Sequence, residues 1–182
     1  GIQPNLFLAN QLKKIAPGNI LLPCDGEGRN AVYAAKKGWK VSAFDTSDVG
    51  KNKALKLAKL ENVDISYYIA DANLVEYPPE EYDIVAFIYA HFPAEIRKNI
   101  HQKAIKWLKP GGKIIIEAFN PKQLNNSSGG PKKVEMLYTK SILKEDFNNL
   151  EINTLETKQL QLSEGAFHQG LADVIQFVGS KK

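Results

Sequence analysis

Short apolar runs alternate with helix-patterned segments along the first two thirds of the chain, and this alternation limits the possible folds more than any other feature. Strands that alternate with helices form right-handed β–α–β units and therefore a parallel sheet. The pattern predicts a single α/β domain spanning residues 1–182. Its predicted strands are 20–24, 41–45, 65–70, 83–89 and 113–119, and its predicted helices are 29–37, 47–60 and 94–108.

The pattern changes after Asn120, where a loop rich in Gly, Ser, Asn and Pro covers residues 121–133. A loop of this length in a compact domain is often functional, so we expect a mobile lid here. Leu143, Phe147 and Leu150 then mark a further helix, and residues 151–162 and 171–179 read as two strands of a hairpin. The hairpin would complete a seven-stranded sheet that is mostly parallel, with one antiparallel strand.

Composition limits the binding partners and the cellular compartment that we expect for this chain. The net charge is +4 and the lysines are scattered, so no nucleic-acid surface is expected. The single cysteine, Cys24, excludes an internal disulfide and suits a cytoplasmic protein. No apolar run is long enough to span a membrane, and no Cys/His cluster has metal-ligand spacing, so neither a membrane nor a metal partner is expected. The chain does not begin with Met, which leaves open an N-terminal segment ahead of it.

A glycine pair lies between the first predicted strand and the helix that follows it. The stretch from Gly26 to Ala31 reads GEGRNA and matches the G-x-G-x-x-A pattern of nucleotide-type ligand sites. Glycine permits close backbone approach to a ligand, and the helix N-terminus offers unpaired N–H groups. The predicted cofactor contacts in this loop are Asp25, Gly26, Glu27, Gly28, Arg29 and Asn30.

Carboxylates follow the next two predicted strands at the same edge of the sheet. Asp45 could accept hydrogen bonds from both ribose hydroxyls, as expected for NAD and equally for S-adenosylmethionine. Asp71 could accept from an adenine amino group beside the backbone N–H of Ala72. The alternatives are a helix-terminal acid for Asp45, where Thr46 or Ser47 could cap the helix instead, and an ordinary turn aspartate for Asp71. Thr46, Ser47 and Asn73 complete the predicted set at these strand ends.

One segment decides between the two candidate cofactors, NAD and S-adenosylmethionine. Residues 107–119, WLKPGGKIIIEAF, resemble a recurring segment of class I S-adenosylmethionine-dependent methyltransferases, and the chain resembles this family from Pro4 onward. Within it, the chain is most similar to the tellurite-resistance and thiopurine methyltransferase-like group. The further motifs that carry the resemblance are PNLFL, HFP, GGP and EGAFHQG. Two positions depart from the family's first loop, because Leu22 replaces the usual acid and Cys24 the first glycine.

The resemblance implies a Rossmann-like, doubly wound sheet and methyl transfer to a small-molecule acceptor, for which we expect a thiol or a chalcogen oxyanion. It implies that residues 26–28 hold the methionine part of S-adenosylmethionine, Asp45 the ribose and Asp71 the adenine, with Ala90 also at the cofactor. His91 follows the fourth strand, and it and His168 are the candidate catalytic residues, each with a structural role as its alternative.

Two other interpretations remain open at this point. An NAD-dependent oxidoreductase fits the glycine loop but leaves LKPGG unexplained. A non-catalytic S-adenosylmethionine-binding partner subunit would keep the cofactor acids and lack an acceptor pocket.

His101 is expected on the solvent side of the helix over 94–108, and the oligomeric state is not readable from the sequence.

Overall fold

The strands form one seven-stranded sheet, and the computed structural model describes residues 1–163 and 169–182. The strands are β1 (Asn19–Pro23), β2 (Lys40–Asp45), β3 (Ser66–Ile69), β4 (Tyr82–Ile88), β5 (Leu108–Phe119), β6 (Leu150–Ser163) and β7 (Gln169–Lys181). Their order across the sheet is β3-β2-β1-β4-β5-β7-β6. β7 runs antiparallel to both β5 and β6, and the other described pairs are parallel. The predicted fold, with one antiparallel strand, is confirmed.

Within the described residues, five α-helices cover the two faces of the sheet. They are α1 (Leu6–Leu12), α2 (Arg29–Lys36), α3 (Asp48–Leu60), α4 (Ala94–Trp107) and α5 (Lys140–Asp146). One apolar cluster joins α1, α2 and α3 to the sheet, and a second cluster joins α4 and α5 to its other face. Because both faces are covered, β1, β4 and β5 are almost continuously buried, as expected for central parallel strands.

Helix and strand ends follow local capping chemistry. Ser47 caps α3 by accepting from the Gly50 N–H at 3.0 Å, and Gly38 follows α2 with a positive φ of 86°. α1 was not predicted; Asn5 caps it by accepting from the Leu8 N–H at 2.9 Å. The helix predicted from Leu143, Phe147 and Leu150 ends earlier, since Leu150 begins β6.

The prediction that His101 is exposed is wrong. The His101 side chain is fully buried between α4 and α5, and its Nδ1 lies 2.8 Å from Oδ2 of Asp146. The Arg97 Nε donates to the same oxygen at 2.8 Å. Helical spacing within α4 could not reveal this burial, because the partner carboxylate comes from a helix some 45 residues further along the chain.

The loop over 121–133 is anchored to β7 by hydrogen bonds, and the lid expected here stays a prediction. A short 3-10 turn, Pro121–Asn125, forms the start of the loop, and a second one, Val134–Met136, follows it. Gln123 is buried and donates to the Ser128 hydroxyl at 2.9 Å, and its Oε1 accepts from the Asp173 N–H at 2.8 Å. Movement of residues 127–130 would break these buried hydrogen bonds, which composition alone does not reveal.

Candidate functional site

The glycine loop after β1 packs directly on α3. Gly26 and Gly28 both have positive φ, 55° and 81°, and Gly28 precedes α2. A Cβ atom at Gly28 would lie 2.3 Å from the Cβ of Ala54, and one at Gly50 would lie 2.7 Å from the carbonyl oxygen of Gly26. The loop can therefore turn and approach α3 only with glycine at these positions. Gly50 was missed at the sequence level because its role depends on a contact between two elements.

Asp45 holds the glycine loop from the end of β2. Its Oδ2 accepts from the Gly26 N–H at 3.1 Å, and its Oδ1 accepts from the Ser47 N–H at 3.0 Å. The predicted capping role of Ser47 is confirmed, while Thr46 is exposed beside it. The ribose contact assigned to Asp45, and the cofactor contacts assigned to Thr46 and Ser47, stay predictions.

Asp71 lies at the same edge, after β3. Its side chain is exposed and its Oδ1 accepts from the Asn73 N–H at 2.7 Å, which fixes the turn. Ala72 is buried against the α4 side of the core. The Lys103 Nζ donates to the Asn73 carbonyl at 2.9 Å, so α4 also supports this turn. An exposed carboxylate on a fixed turn is accessible to a ligand, and the predicted adenine contacts stay predictions.

The pKa of the Cys24 thiol is raised by burial and by the acids of these loops. Burial raises its pKa to about 12, and the charges of Asp45, Asp71 and Asp25 add to the rise. Carboxylates from three separate loops therefore act on one sulfur atom. Cys24 also adopts a φ of 55° at the position where the family has glycine, and it packs against the core.

Asp25 is the centre of the loop's own hydrogen bonding. It accepts from the Asn30 side-chain amide at 2.9 Å and from the Ala31 N–H at 3.0 Å. Burial nonetheless raises its pKa to about 7, because these hydrogen bonds and the more distant Arg29 only partly offset desolvation. The Tyr67 hydroxyl donates to the Gly26 carbonyl at 2.6 Å, a further support from β3 that the sequence analysis missed.

Two side chains of the glycine loop that were predicted to contact the cofactor instead contact other parts of the protein. Glu27 is exposed and forms an ion pair with Lys53 of α3. The Arg29 guanidinium donates to the Gln3 carbonyl at 3.2 Å. A cofactor role at these two positions would therefore rest mainly on the backbone, and it stays a prediction.

The loop after β4 forms the other half of this edge. The Phe119 N–H donates to Nε2 of His91 at 3.2 Å, and Nδ1 of His91 lies 2.7 Å from the Met136 carbonyl, to which it donates as the Nδ1–H tautomer. The His91 ring also stacks on Phe119, with centroids 5.7 Å apart. Ala90 is buried, and its carbonyl accepts from the Tyr138 hydroxyl at 3.1 Å. These contacts fit a structural or positioning His91, and its catalytic assignment stays a prediction.

Glu117 is a buried carboxylate that the sequence analysis did not single out. It lies on β5 with 1% of its surface exposed. Its oxygens accept from the Asn5 amide at 2.6 Å, the Tyr89 hydroxyl at 2.9 Å and the Gln176 amide at 2.5 Å. Tyr89 follows β4 with a φ of 54°, a conformation that is costly for a non-glycine residue. A single acid inside the apolar run IIIEAF was the available signal.

Some predictions concern other parts of the molecule. His168 lies outside the described residues, so its candidate catalytic role stays a prediction. Within residues 1–163 and 169–182, no group of three or more His, Cys, Asp or Glu side chains could hold a metal ion. In the same residues, no helix has both the length and the apolar character needed to cross a lipid bilayer.

Comparison with known proteins shows which family the chain matches. The family described as Methyltransferase domain matches residues 20–112, about half of the chain. The tRNA (uracil(54)-C(5))-methyltransferase of Pyrococcus furiosus is 33% identical over 147 residues, or 69% of this chain. The chain spans about a third of the length of that curated relative, 33%.

Solved structures share the whole fold. TehB from Haemophilus influenzae superposes with a TM-score of 0.78 and 20% identity, covering 98% of this chain and 62% of that one. A SAM-dependent methyltransferase from Methanosarcina mazei gives a TM-score of 0.73 at 16% identity, covering 98% of both chains. The fold of this chain is thus shared with a TehB-like group. The glycine loop, the strand-end acids and the family match together show that the chain belongs to the class I S-adenosylmethionine-dependent methyltransferases, whose cofactor is S-adenosylmethionine.

Proposed function

We propose that this protein transfers the methyl group of S-adenosylmethionine to a small-molecule acceptor and releases S-adenosylhomocysteine. One observation carries the proposal: Asp25, Asp45 and Asp71 lie at the carboxyl ends of β1, β2 and β3, which are parallel neighbours in the sheet, so the three acids share one edge. In open α/β sheets, ligands bind outside the carboxyl ends of the strands. Polar groups from three loops at that edge are what an elongated cofactor with an amino acid, a ribose and a base requires.

The residues of the glycine loop would bind the methionine part, with Asp45 at the ribose and Asp71 at the adenine. Asp45 already receives the Gly26 N–H, so it also holds the loop in a shape that a ligand can use. Rigid support of this kind lowers the cost of ordering the site on binding. The Asp71 carboxylate, which is exposed, would meet the adenine beside the Ala72 N–H.

The contacts of His91 favour an acceptor that needs no protein base. Methyl transfer from a sulfonium is an in-line displacement on an activated carbon, so proximity and orientation supply much of the rate. Both ring nitrogens of His91 are held by backbone groups, and proton removal by His91 would first break one of these bonds. A thiol that ionises in solution, or a chalcogen oxyanion, fits this arrangement, with His91 shaping the acceptor side.

Calorimetry with S-adenosylhomocysteine and NAD⁺ tests the cofactor assignment. We expect binding of the former and none of the latter. Asp71→Ala should weaken S-adenosylhomocysteine binding by roughly 1.5–3 kcal/mol, the scale of a hydrogen bond to a charged group. Asp48→Ala, an exposed acid on α3, is the matched control and should leave the affinity unchanged. Tight NAD⁺ binding would instead support the oxidoreductase.

Turnover assays test the acceptor. A panel of thiols, thiopurines, selenite and tellurite should include at least one methylated product. His91→Ala should lower turnover while leaving S-adenosylhomocysteine affinity within about threefold, since we place His91 on the acceptor side. Cofactor binding without turnover on any acceptor would favour the non-catalytic partner subunit.

An RNA acceptor is the second candidate, because the curated relative at 33% identity is a tRNA methyltransferase. We favour the small molecule, since a net charge of +4 is modest and dispersed for a nucleic-acid surface. Transfer of a labelled methyl group to tRNA, with strong salt dependence and no transfer to the panel, would decide for RNA. The scattered charge and the single cysteine fit the proposal of a cytoplasmic enzyme.

A further inference from the structure

The N-terminal segment is attached to the glycine loop by a chain of buried polar contacts. The Asn5 N–H donates to Oδ1 of Asn30 at 2.9 Å, and Nδ2 of the same Asn30 donates to Oδ1 of Asp25 at 2.9 Å. Asn5 and Asn30 expose 0% and 3% of their surface, so both ends of the Asn30 amide are used inside the protein. Arg29 adds a second link through the Gln3 carbonyl.

The helix that begins beyond Asn5 depends on its contacts. α1 has only seven residues, and an isolated helix of that length is not stable in water. Leu8 and Leu12 pack into the core, while Leu6 remains exposed. Asn5 itself caps α1 and donates to the buried Glu117 of β5. Docking of residues 3–12 therefore depends on the same asparagine that contacts the glycine loop.

We propose that Asn30 is a positioning residue that couples cofactor binding at the glycine loop to docking of α1. This inference rests on the proposed function, because it needs the cofactor to bind at residues 25–30. When a ligand fixes Asp25 and the loop, Asn30 is fixed with them, and its Oδ1 holds the Asn5 N–H more firmly. By linkage, an undocked α1 must weaken cofactor binding by the same factor.

The coupling assigns a new role to Asn30. The sequence predicts that Asn30 contacts the cofactor, yet its amide nitrogen and oxygen both form hydrogen bonds with protein groups. A residue of this kind acts through others, so its substitution should change two distant observables together. Those observables are cofactor affinity and the opening of α1.

Hydrogen exchange of the wild-type protein, with and without S-adenosylhomocysteine, is the first test. The amides of α1 should gain protection by about tenfold more than those of α5, a helix of equal length on the opposite face. Comparison with α5 removes any gain that merely reflects global stabilisation. Equal gains in the two helices would overturn the coupling while leaving the proposed cofactor binding intact. Failure of the wild type to bind S-adenosylhomocysteine would overturn both.

Asn30→Ala is the second test, and Asn120→Ala is its matched control. Like Asn30, Asn120 is buried and its amide both accepts from a backbone N–H and donates to an oxygen, but its partners are the Lys122 N–H and the Val174 carbonyl. Asn30→Ala should lower S-adenosylhomocysteine affinity about tenfold, within the usual range of coupling, and abolish the extra protection of α1. Asn120→Ala should do neither. Reduced affinity with the extra α1 protection intact would overturn the proposal.

Discussion

Two carboxyl groups lie in opposite electrostatic surroundings. Asp146, at the end of α5, receives the Arg97 guanidinium and the His101 ring on one oxygen, and these partners hold its pKa below its usual range although burial acts to raise it. Asp25, in the glycine loop, receives two neutral donors, and burial raises its pKa to about 7. The protein thus neutralises a carboxylate between α4 and α5 and leaves one under-compensated at the candidate cofactor site.

The contrast separates structural polar groups from functional ones. A carboxylate paired with a guanidinium, such as Asp146 with Arg97, fixes how two helices pack. A carboxylate held only by neutral hydrogen bonds can still respond to a cationic ligand, and perturbed groups of this kind are typical of functional sites. Variants at each centre should therefore differ in what they change: stability for Asp146, and ligand binding or pH response for the glycine loop.

The largest effect is expected from Asp146→Ala. The substitution removes the carboxylate from the buried His101 and the partly buried Arg97, and breaking a buried pair typically costs about 3–5 kcal/mol. Urea unfolding measures this loss. Glu145→Ala is the control, since its pair with Lys98 is exposed and should be worth less than about 1 kcal/mol. A loss below about 1 kcal/mol for Asp146→Ala would contradict the structural role of the cluster.

Gly50→Ala should act on the site more than on stability. The added Cβ would lie 2.7 Å from the Gly26 carbonyl oxygen and displace the glycine loop from α3. We expect a loss of about 10–100-fold in turnover, because small misplacements at a reaction site are costly. The change in unfolding free energy should stay within about 1 kcal/mol, since alanine favours the helix. Lys56→Ala, exposed on the same helix, should change neither quantity.

The strand and helix pattern was predictable because burial leaves a period in the sequence. The order of elements, the single antiparallel strand and the Ser47 cap all followed from apolar spacing and local chemistry. α1 was missed because its seven residues make only about two helical turns, which is too short to show a period. His101 was misplaced for a different reason: its partner Asp146 lies on another helix.

The candidate site was predictable as a set of strand ends and not as a network. The resemblance and the topology together located Asp45, Asp71 and the glycine loop at one edge. The supports from Tyr67, Glu117 and Asn5 come from distant segments and were not visible. Such contacts depend on three-dimensional packing, which single-sequence patterns do not encode.

The pH dependence of stability should separate the two carboxyl groups. The folded pKa of Asp25, about 7, lies above the unfolded value of about 3.9, so the native state binds more protons between these values. This contribution makes the free energy of unfolding fall as pH rises from about 4 to about 7. Asp25→Asn should remove this contribution, and a rise of about three pKa units corresponds to at most about 4 kcal/mol over this range.

The wild-type protein and the Asp25→Asn variant both contain His101 and Asp146. The lowered pKa values of those groups act in the opposite direction and cancel when the wild-type and Asp25→Asn profiles are subtracted. Asp48→Asn, an exposed acid, should reproduce the wild-type profile. Parallel profiles for wild type and Asp25→Asn would show that the Asp25 carboxyl is not perturbed.

The smallest expected effect is a change in the alkylation rate of Cys24, the single cysteine of the chain. The thiolate is the reactive form, so a pKa of about 12 in place of about 8.5 makes Cys24 react some thousandfold more slowly than a free thiol near neutral pH. Burial is the largest cause and Asp45 the next. Asp45→Asn removes that charge and should raise the rate about two- to fivefold, measured with iodoacetamide at constant pH. Asp48→Asn carries the same loss of charge outside the site and should leave the rate unchanged. Equal acceleration in both variants would mean that net charge, rather than clustered carboxylates at this edge, controls the thiol.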